Sequence, residues 1–142
     1  MILLDTNVVS ELMKSTPEPH VVRWVDGRDA AELVITAITA AELRAGVALL
    51  PRGRRRETIA RQVERLIADV FGGYVLPFDS ASSSHYADIV AAQRRDGRPM
   101  TALDVQIAAI CQQHDATLAT RNVSDFEATK LHVVNPWSIA SG

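Results

Sequence analysis

Five short apolar runs, each separated from the next by a stretch long enough for at least one helix, constrain this 142-residue chain more than any other feature. Ile2 to Leu4, Leu33 to Ile35, Tyr74 to Leu76, Thr117 to Ala119 and His132 to Val134 read as strands buried on both faces. Between them, apolar residues recur at helical spacing over Val8 to Lys14, Pro19 to Asp26, Ala40 to Leu50, Arg54 to Phe71, Ser80 to Arg95 and Ala102 to His114. Parallel neighbours need crossovers of helical length, so the alternation predicts an α/β fold with a central, mostly parallel β-sheet flanked by helices. Turn signals at Pro51-Arg52-Gly53, Gly72-Gly73, Pro77, Gly97-Arg98-Pro99 and Asn135-Pro136 fall on the expected boundaries. The length suits one domain over residues 1–142 and is too short for two ordinary ones, so a single site is expected.

Composition removes several classes of function. A chain that is 47% hydrophobic and 23% charged has enough apolar surface to fold. Its apolar runs are broken by polar residues well before the roughly 20 that a membrane span needs. Met1-Ile2-Leu3-Leu4 meets Asp5 without a basic leader or a small-residue cleavage site, so a signal peptide is not expected. The expected location is the cytoplasm, with no membrane partner. Cys111 is the one cysteine, which excludes an internal disulfide and a zinc cluster of cysteines. A net charge of -2 argues against holding nucleic acid by a uniformly basic surface, so any such contact must be local. Arg52, Arg54, Arg55 and Arg56, and then Arg94, Arg95 and Arg98, could supply a phosphate-binding rim or simply be solvated helix ends.

The chemistry lies in four acids from four separate segments. Thr39-Ala40-Ala41-Glu42 and Thr101-Ala102-Leu103-Asp104 each place a hydroxyl three positions before an acid, the pattern of a helix cap with an acidic third residue. Glu42 and Asp104 are therefore expected in first helical turns at the carboxyl edge of the sheet, where ligands of open parallel sheets bind. Asp5 ends the first strand at that same edge, largely buried and without obvious pairing, and Asp125 follows the fourth strand. Each acid also has a plainer role: Glu42 and Asp104 as helix-capping partners, Asp125 as the cap of a short helix beginning at Phe126. Gathered in one cleft, however, these carboxylates repel one another unless a cation neutralises them, and hard oxygen ligands select Mg²⁺ or Mn²⁺. Such a site suits hydrolysis of a phosphodiester by an activated water. His20, His85, His114 and His132 have no mutual metal-ligand spacing and are given no such role.

Four blocks in order carry a family resemblance. Met1-Ile2-Leu3-Leu4-Asp5-Thr6-Asn7, Ala37-Ile38-Thr39-Ala40-Ala41-Glu42-Leu43, Ala102-Leu103-Asp104-Val105-Gln106-Ile107-Ala108-Ala109 and Ala119-Thr120-Arg121-Asn122-Val123-Ser124-Asp125-Phe126 resemble PIN-domain proteins over nearly the whole chain. The chain looks in particular like the FitB-like branch of the VapC toxins, to which Leu76-Pro77-Phe78-Asp79 and Asn135-Pro136-Trp137 also correspond. The resemblance implies a Mg²⁺-dependent endoribonuclease toxin that cuts RNA, forms a homodimer, and is neutralised by a small cognate antitoxin of the VapB or FitA kind in a hetero-oligomer. By matching position it implies Asp5 and Asp104 as principal metal ligands, Glu42 as a further ligand or base, and Thr6 and Asn7 as orienting groups. In many family members the position matching Asn122 is acidic. The amide here leaves either Asp125 or Asn122 to fill the fourth position.

Arg121, beside the expected cleft, could bind a substrate phosphate or pair with a neighbouring acid. Val8, Val9, Leu12, Met13, Val21, Val22, Trp24 and Val25 make the early helices apolar enough for ordinary core packing or for a groove that accepts an antitoxin helix. Two other readings compete. A phosphoacceptor receiver-like domain would need adjacent acids on the first strand and an acceptor aspartate in mid-chain, and neither is present. A catalytically weak PIN-fold module that only binds RNA or a partner is favoured by the amide at Asn122.

Overall fold

The computed structural model describes residues 1–72 and 74–138. Its elements, in chain order, are β1 (Ile2–Leu4), α1 (Thr6–Leu12), α2 (Pro19–Asp26), β2 (Leu33–Thr36), α3 (Ala37–Ala48), α4 (Arg54–Arg65), β3 (Val75–Leu76), α5 (Ser80–Asp96), α6 (Ala102–Gln113), β4 (Thr117–Ala119) and β5 (His132–Val134). Short 3₁₀ turns cover Ala30–Glu32 and Val123–Phe126, and a π-helical segment, Leu66–Val70, extends α4. The strands form one sheet in the order β3-β2-β1-β4-β5, and every neighbouring pair is parallel. Among the described residues, no helix is long and apolar enough to cross a membrane.

Alternate strand residues feed two cores, one on each face of the sheet, as strand geometry demands. Leu3, Val34, Leu76 and Leu118 join Val105, Ile107 and Phe126 in one core. Leu4, Leu33, Ile35 and Ala119 join Val8, Val9, Val21 and Val63 in the other. The early apolar helices thus spend Val8, Val9 and Val21 on ordinary packing. Cys111 is buried in the first core, where loss of hydration pushes its thiol up to about 12 and keeps it unreactive.

Several boundaries differ from the sequence expectation. Tyr74 does not begin β3 and is 59% exposed. β5 lies at the sheet edge with His132 exposed, so it is not buried on both faces. Gly73, half of the expected Gly72-Gly73 turn, lies outside the described residues. The expected Arg54 to Phe71 helix is α-helical only to Arg65 before the π segment takes over. Gly97 closes α5 in the left-handed region at φ 65°, where a residue without Cβ is least strained.

The strand order positions the site. From β1 the chain moves to β2 and β3 on one side, then crosses to β4 and β5 on the other, so the order reverses between β1 and β4. Crevices at such reversals, beyond the carboxyl ends of the strands, are where parallel α/β sheets bind ligands. Asp5 follows β1 and Thr120 follows β4, side by side at that point.

Candidate active site

Asp5 turns the end of β1 into the start of α1. Its backbone N–H donates to Ala119 O at 2.9 Å, continuing the pairing of β1 with β4, while its Oδ1 accepts the Thr6 N–H at 2.8 Å. The residue is only 5% exposed. The expectation that it lacks partners is corrected here: Thr120 Oγ1 donates to Oδ2 at 2.7 Å and Asn7 Nδ2 approaches the same oxygen at 3.4 Å. These donors are neutral, so the carboxylate is solvated by dipoles and its charge is not cancelled. Burial is the largest influence on Asp5 and raises its pKa, opposed by the Thr120 and Thr6 hydrogen bonds and reinforced by the charges of Glu42 and Asp125.

Glu42 reaches the same cavity from a different helical position than the sequence suggested. The cap of α3 is Thr36, the last residue of β2, whose Oγ1 accepts the Thr39 N–H at 3.1 Å. Thr39 therefore lies inside the helix and Glu42 falls in the second turn, so the capping-box reading of Thr39 and Glu42 is wrong by three residues. What holds Glu42 is the Thr6 hydroxyl, which donates to Oε1 at 2.8 Å. Thr6 Oγ1 lies 3.1 Å from Thr39 Oγ1, itself 3.5 Å from Thr36 Oγ1, a line of hydroxyls running from buried β2 to the carboxylate.

Asp104 sits where the cap pattern put it. Thr101 caps α6 and its Oγ1 accepts the Asp104 N–H at 3.1 Å. A short link joins α6 to β4, which forces the helix antiparallel to the strand and leaves its first turn at the carboxyl edge. Asp104 is half-buried, and that burial is the main cause of its raised pKa, opposed by the Thr101 hydrogen bond and aided by the charges of Asp5 and Asp125.

Asp5, Glu42 and Asp104 line one cavity of about 460 Å³, together with Thr6, Asn7 and Asn122. Its size falls in the range of small-ligand sites, about 300–1,000 Å³. Asn122, not Asp125, lines the cavity; Asp125 is exposed and acts on Asp5 and Asp104 through its charge. Nor does Asp125 cap a helix at Phe126, because the 3₁₀ turn Val123–Phe126 already contains it. Asn7 ties the site together: its Oδ1 accepts the Arg121 N–H at 3.2 Å, and its Nδ2 lies 3.3 Å from Thr120 Oγ1, which in turn accepts the Asn122 N–H at 3.1 Å. Arg121 makes no ion pair among the described residues, so the salt bridge weighed from sequence is not formed; its guanidinium lies 5.1 Å from the centroid of the Trp137 ring.

Sequence reasoning missed Ser10, Glu11, Lys14 and Trp137, which extend the cavity. Glu11 is buried, bridged to Lys14 at 3.1 Å and accepting the Glu18 N–H at 3.3 Å, and its pKa is lowered chiefly by the Lys14 hydrogen bond. Helical spacing from Asn7 through Glu11 to Lys14 was the signal that could have found Ser10, Glu11 and Lys14, whereas Trp137 arrives only through the tertiary fold.

Among the described residues, no three His, Cys, Asp or Glu side chains stand close enough together to hold a metal ion as they are placed. The donor set nevertheless fits a hard cation that keeps part of its water: three carboxylates and two amide-bearing residues around an open cavity, with two acids whose pKa values are raised partly by the neighbouring negative charges. A closed cage of protein oxygens would suit Ca²⁺ better than Mg²⁺, which binds through one or two carboxylates plus waters.

An all-parallel sheet with carboxylates from three separate segments gathered at its switch point defines a small α/β protein with an acidic cleft. The PIN domain family model matches residues 2–130. The chain is 42% identical to the VapC ribonuclease Y4jK of Sinorhizobium fredii over 140 residues, covering 99% of this chain and 100% of that one. It is also 42% identical to the toxin FitB of Neisseria gonorrhoeae over 137 residues, 96% of this chain and 99% of the relative. A solved structure of FitAB bound to an IR36 DNA fragment superposes with a TM-score of 0.92 at 40% identity, covering 99% of this chain and 98% of that one. The chain belongs to the PIN-domain family.

Proposed function

We propose that this protein is the ribonuclease toxin of a toxin-antitoxin pair, one domain over residues 1–142, which hydrolyses RNA phosphodiester bonds with the help of Mg²⁺, or Mn²⁺ in its place. The observation that carries the reading is the meeting of Asp5, Glu42 and Asp104 in one cavity at the sheet's switch point, with no cationic side chain paired to any of the three among the described residues. The names of the VapC ribonuclease and FitB toxin relatives give the substrate class and the role in a toxin pair.

Asp5 and Asp104 would hold the ion, with Glu42 as a further ligand or as the base. Once bound, a divalent cation lowers the pKa of water and neutralises charge that builds on the phosphate during displacement. The protein's own residues supply the orientation. Thr120 and the Thr6 N–H fix the Asp5 carboxylate, while the Thr6 hydroxyl fixes Glu42 and leaves Glu42 Oε2 to accept a proton from an attacking water. Asn7 orders the turn that carries Arg121 and Asn122, so that Arg121 meets a phosphate and Asn122, or Asp125 behind it, offers the fourth oxygen. No covalent enzyme intermediate is needed.

A small cognate antitoxin of the VapB or FitA kind is the partner that neutralises the toxin, in a hetero-oligomer built on a toxin homodimer, and no membrane partner is involved. One solved relative is FitAB bound to an IR36 DNA fragment.

Purified, antitoxin-free protein incubated with total RNA tests this directly. Discrete fragments should form with Mg²⁺ or Mn²⁺, vanish with EDTA, and vanish again when antitoxin is added back. RNA left intact with either metal would overturn the nuclease reading and leave a module that binds RNA or partner without cutting.

A further inference from the structure

The cavity holds an arginine that ignores three carboxylates. Arg121 lines the same space as Asp5, Glu42 and Asp104, and its side chain is long and exposed, yet among the described residues it pairs with no acid. Opposite charges lining one cavity attract each other, the more so where water is partly excluded. Something must hold the guanidinium back. The Trp137 ring, 5.1 Å from the guanidinium carbon, is placed to do so.

Trp137 is itself anchored. Its backbone N–H donates to Asn135 Oδ1 at 2.9 Å, Pro136 between them is buried, and the indole packs against the core that contains Val8, Val9 and Ala119. The other end of Arg121 is fixed by Asn7, which accepts its backbone N–H. The arginine is therefore restrained at both ends, by Asn7 near the metal-binding acids and by Trp137 across the cavity.

We propose that Trp137 is a positioning residue that holds the Arg121 guanidinium off the carboxylates, keeping them open to the cation and presenting Arg121 to a substrate phosphate. The inference rests on the nuclease reading for the identity of the ion and the phosphate, and on the stack itself for the device. Removing the ring frees Arg121 to swing onto the acids, where it competes with the cation and no longer meets the phosphate. One lost stack thus weakens two kinds of binding, and deleting the arginine charge should undo one of them.

The test compares Mn²⁺ affinity, and separately the metal-free affinity for a non-cleavable 2′-O-methyl oligonucleotide, in the whole protein and in Trp137→Leu, Trp137→Phe, Arg121→Gln and the Trp137→Leu/Arg121→Gln double variant. Trp137→Leu should weaken Mn²⁺ binding about tenfold, Trp137→Phe should stay within about twofold of the parent, and the double variant should regain the affinity of Arg121→Gln. Oligonucleotide binding should fall about tenfold in Trp137→Leu and in Arg121→Gln, with no further loss when both are combined. Unchanged Mn²⁺ and oligonucleotide affinity in Trp137→Leu would overturn the proposal. So would a double variant as weak in Mn²⁺ binding as Trp137→Leu, because the ring would then act through the fold and not through Arg121. If RNA is bound but never cut, the nuclease reading fails while the oligonucleotide comparison still decides the role of Trp137.

Discussion

Replacing Asp5 with asparagine is expected to cut RNA cleavage by about a thousandfold or more while leaving the metal-free fold at least as stable as before. On the proposed reading the activity loss follows from removing one of the principal anionic ligands, because a bound ion would supply several kcal/mol to the transition state and each 1.36 kcal/mol is a factor of about ten. The stability gain follows from burial. Asp5 is 5% exposed, its donors Thr6, Thr120 and Asn7 are neutral, and the charges of Glu42 and Asp125 push against it. An amide keeps the shape and removes the unneutralised charge. Because the Asp5 pKa is raised in the folded protein, its contribution to stability is full at acid pH and is lost as pH rises through the raised value. Asp104 acts in the same direction. Metal-free parent protein should therefore melt at progressively lower temperature than Asp5→Asn as pH rises from about 4 through neutrality. Differential scanning fluorimetry across that range checks the sign. A variant that is less stable than the parent at pH 8 without metal would show that the site is not electrostatically strained.

The second large effect is on folding and belongs to Phe126. It is 1% exposed, ends the 3₁₀ turn Val123–Phe126, and packs in the core that contains Leu118, Ile107 and Ala108. Truncating such a buried ring costs about 3–5 kcal/mol through lost burial and the cavity left behind. For a domain of this size that corresponds to a fall of roughly 10 °C or more in Tm. The loss should reach the site as well, since Asn122 immediately precedes the same turn and Asp125 lies within it. Phe126→Leu should recover most of the stability, and chemical denaturation of the two variants separates a packing loss from a general failure to fold. A loss under about 1 kcal/mol in Phe126→Ala would mean that the turn is not anchored by its ring.

What the sequence revealed and what it concealed follow from the range of the interactions involved. Run length and spacing exposed β1, β4 and α2 with their boundaries, because short apolar runs and helical spacing are local signals. Thr101 and Asp104 were legible for the same reason, a cap written within four residues. The cap of α3 was misplaced because Thr36 ends a fully buried strand and looks like part of it, while Thr39 three residues on looks like a cap. Thr6 and Asn7 were expected as orienting groups through the resemblance, but the contacts themselves were not legible: Thr120 meets Asp5, Thr6 meets Glu42, and Trp137 meets Arg121 only after the sheet has closed. The π-helical segment after Arg65 shares the apolar spacing of the α-helix it extends, so periodicity alone could not mark it.

The central claim is that Asp5, Glu42 and Asp104 share one divalent ion. Calorimetric titration of Mn²⁺ into the parent protein and into Asp5→Asn, Glu42→Gln and Asp104→Asn, each confirmed folded by circular dichroism, tests it most directly. The account predicts binding at one or two ions per chain in the parent, loss of that binding in Asp5→Asn and Asp104→Asn, and weakened binding in Glu42→Gln. Mn²⁺ binding that survives both aspartate substitutions, or a parent that binds none, would contradict it.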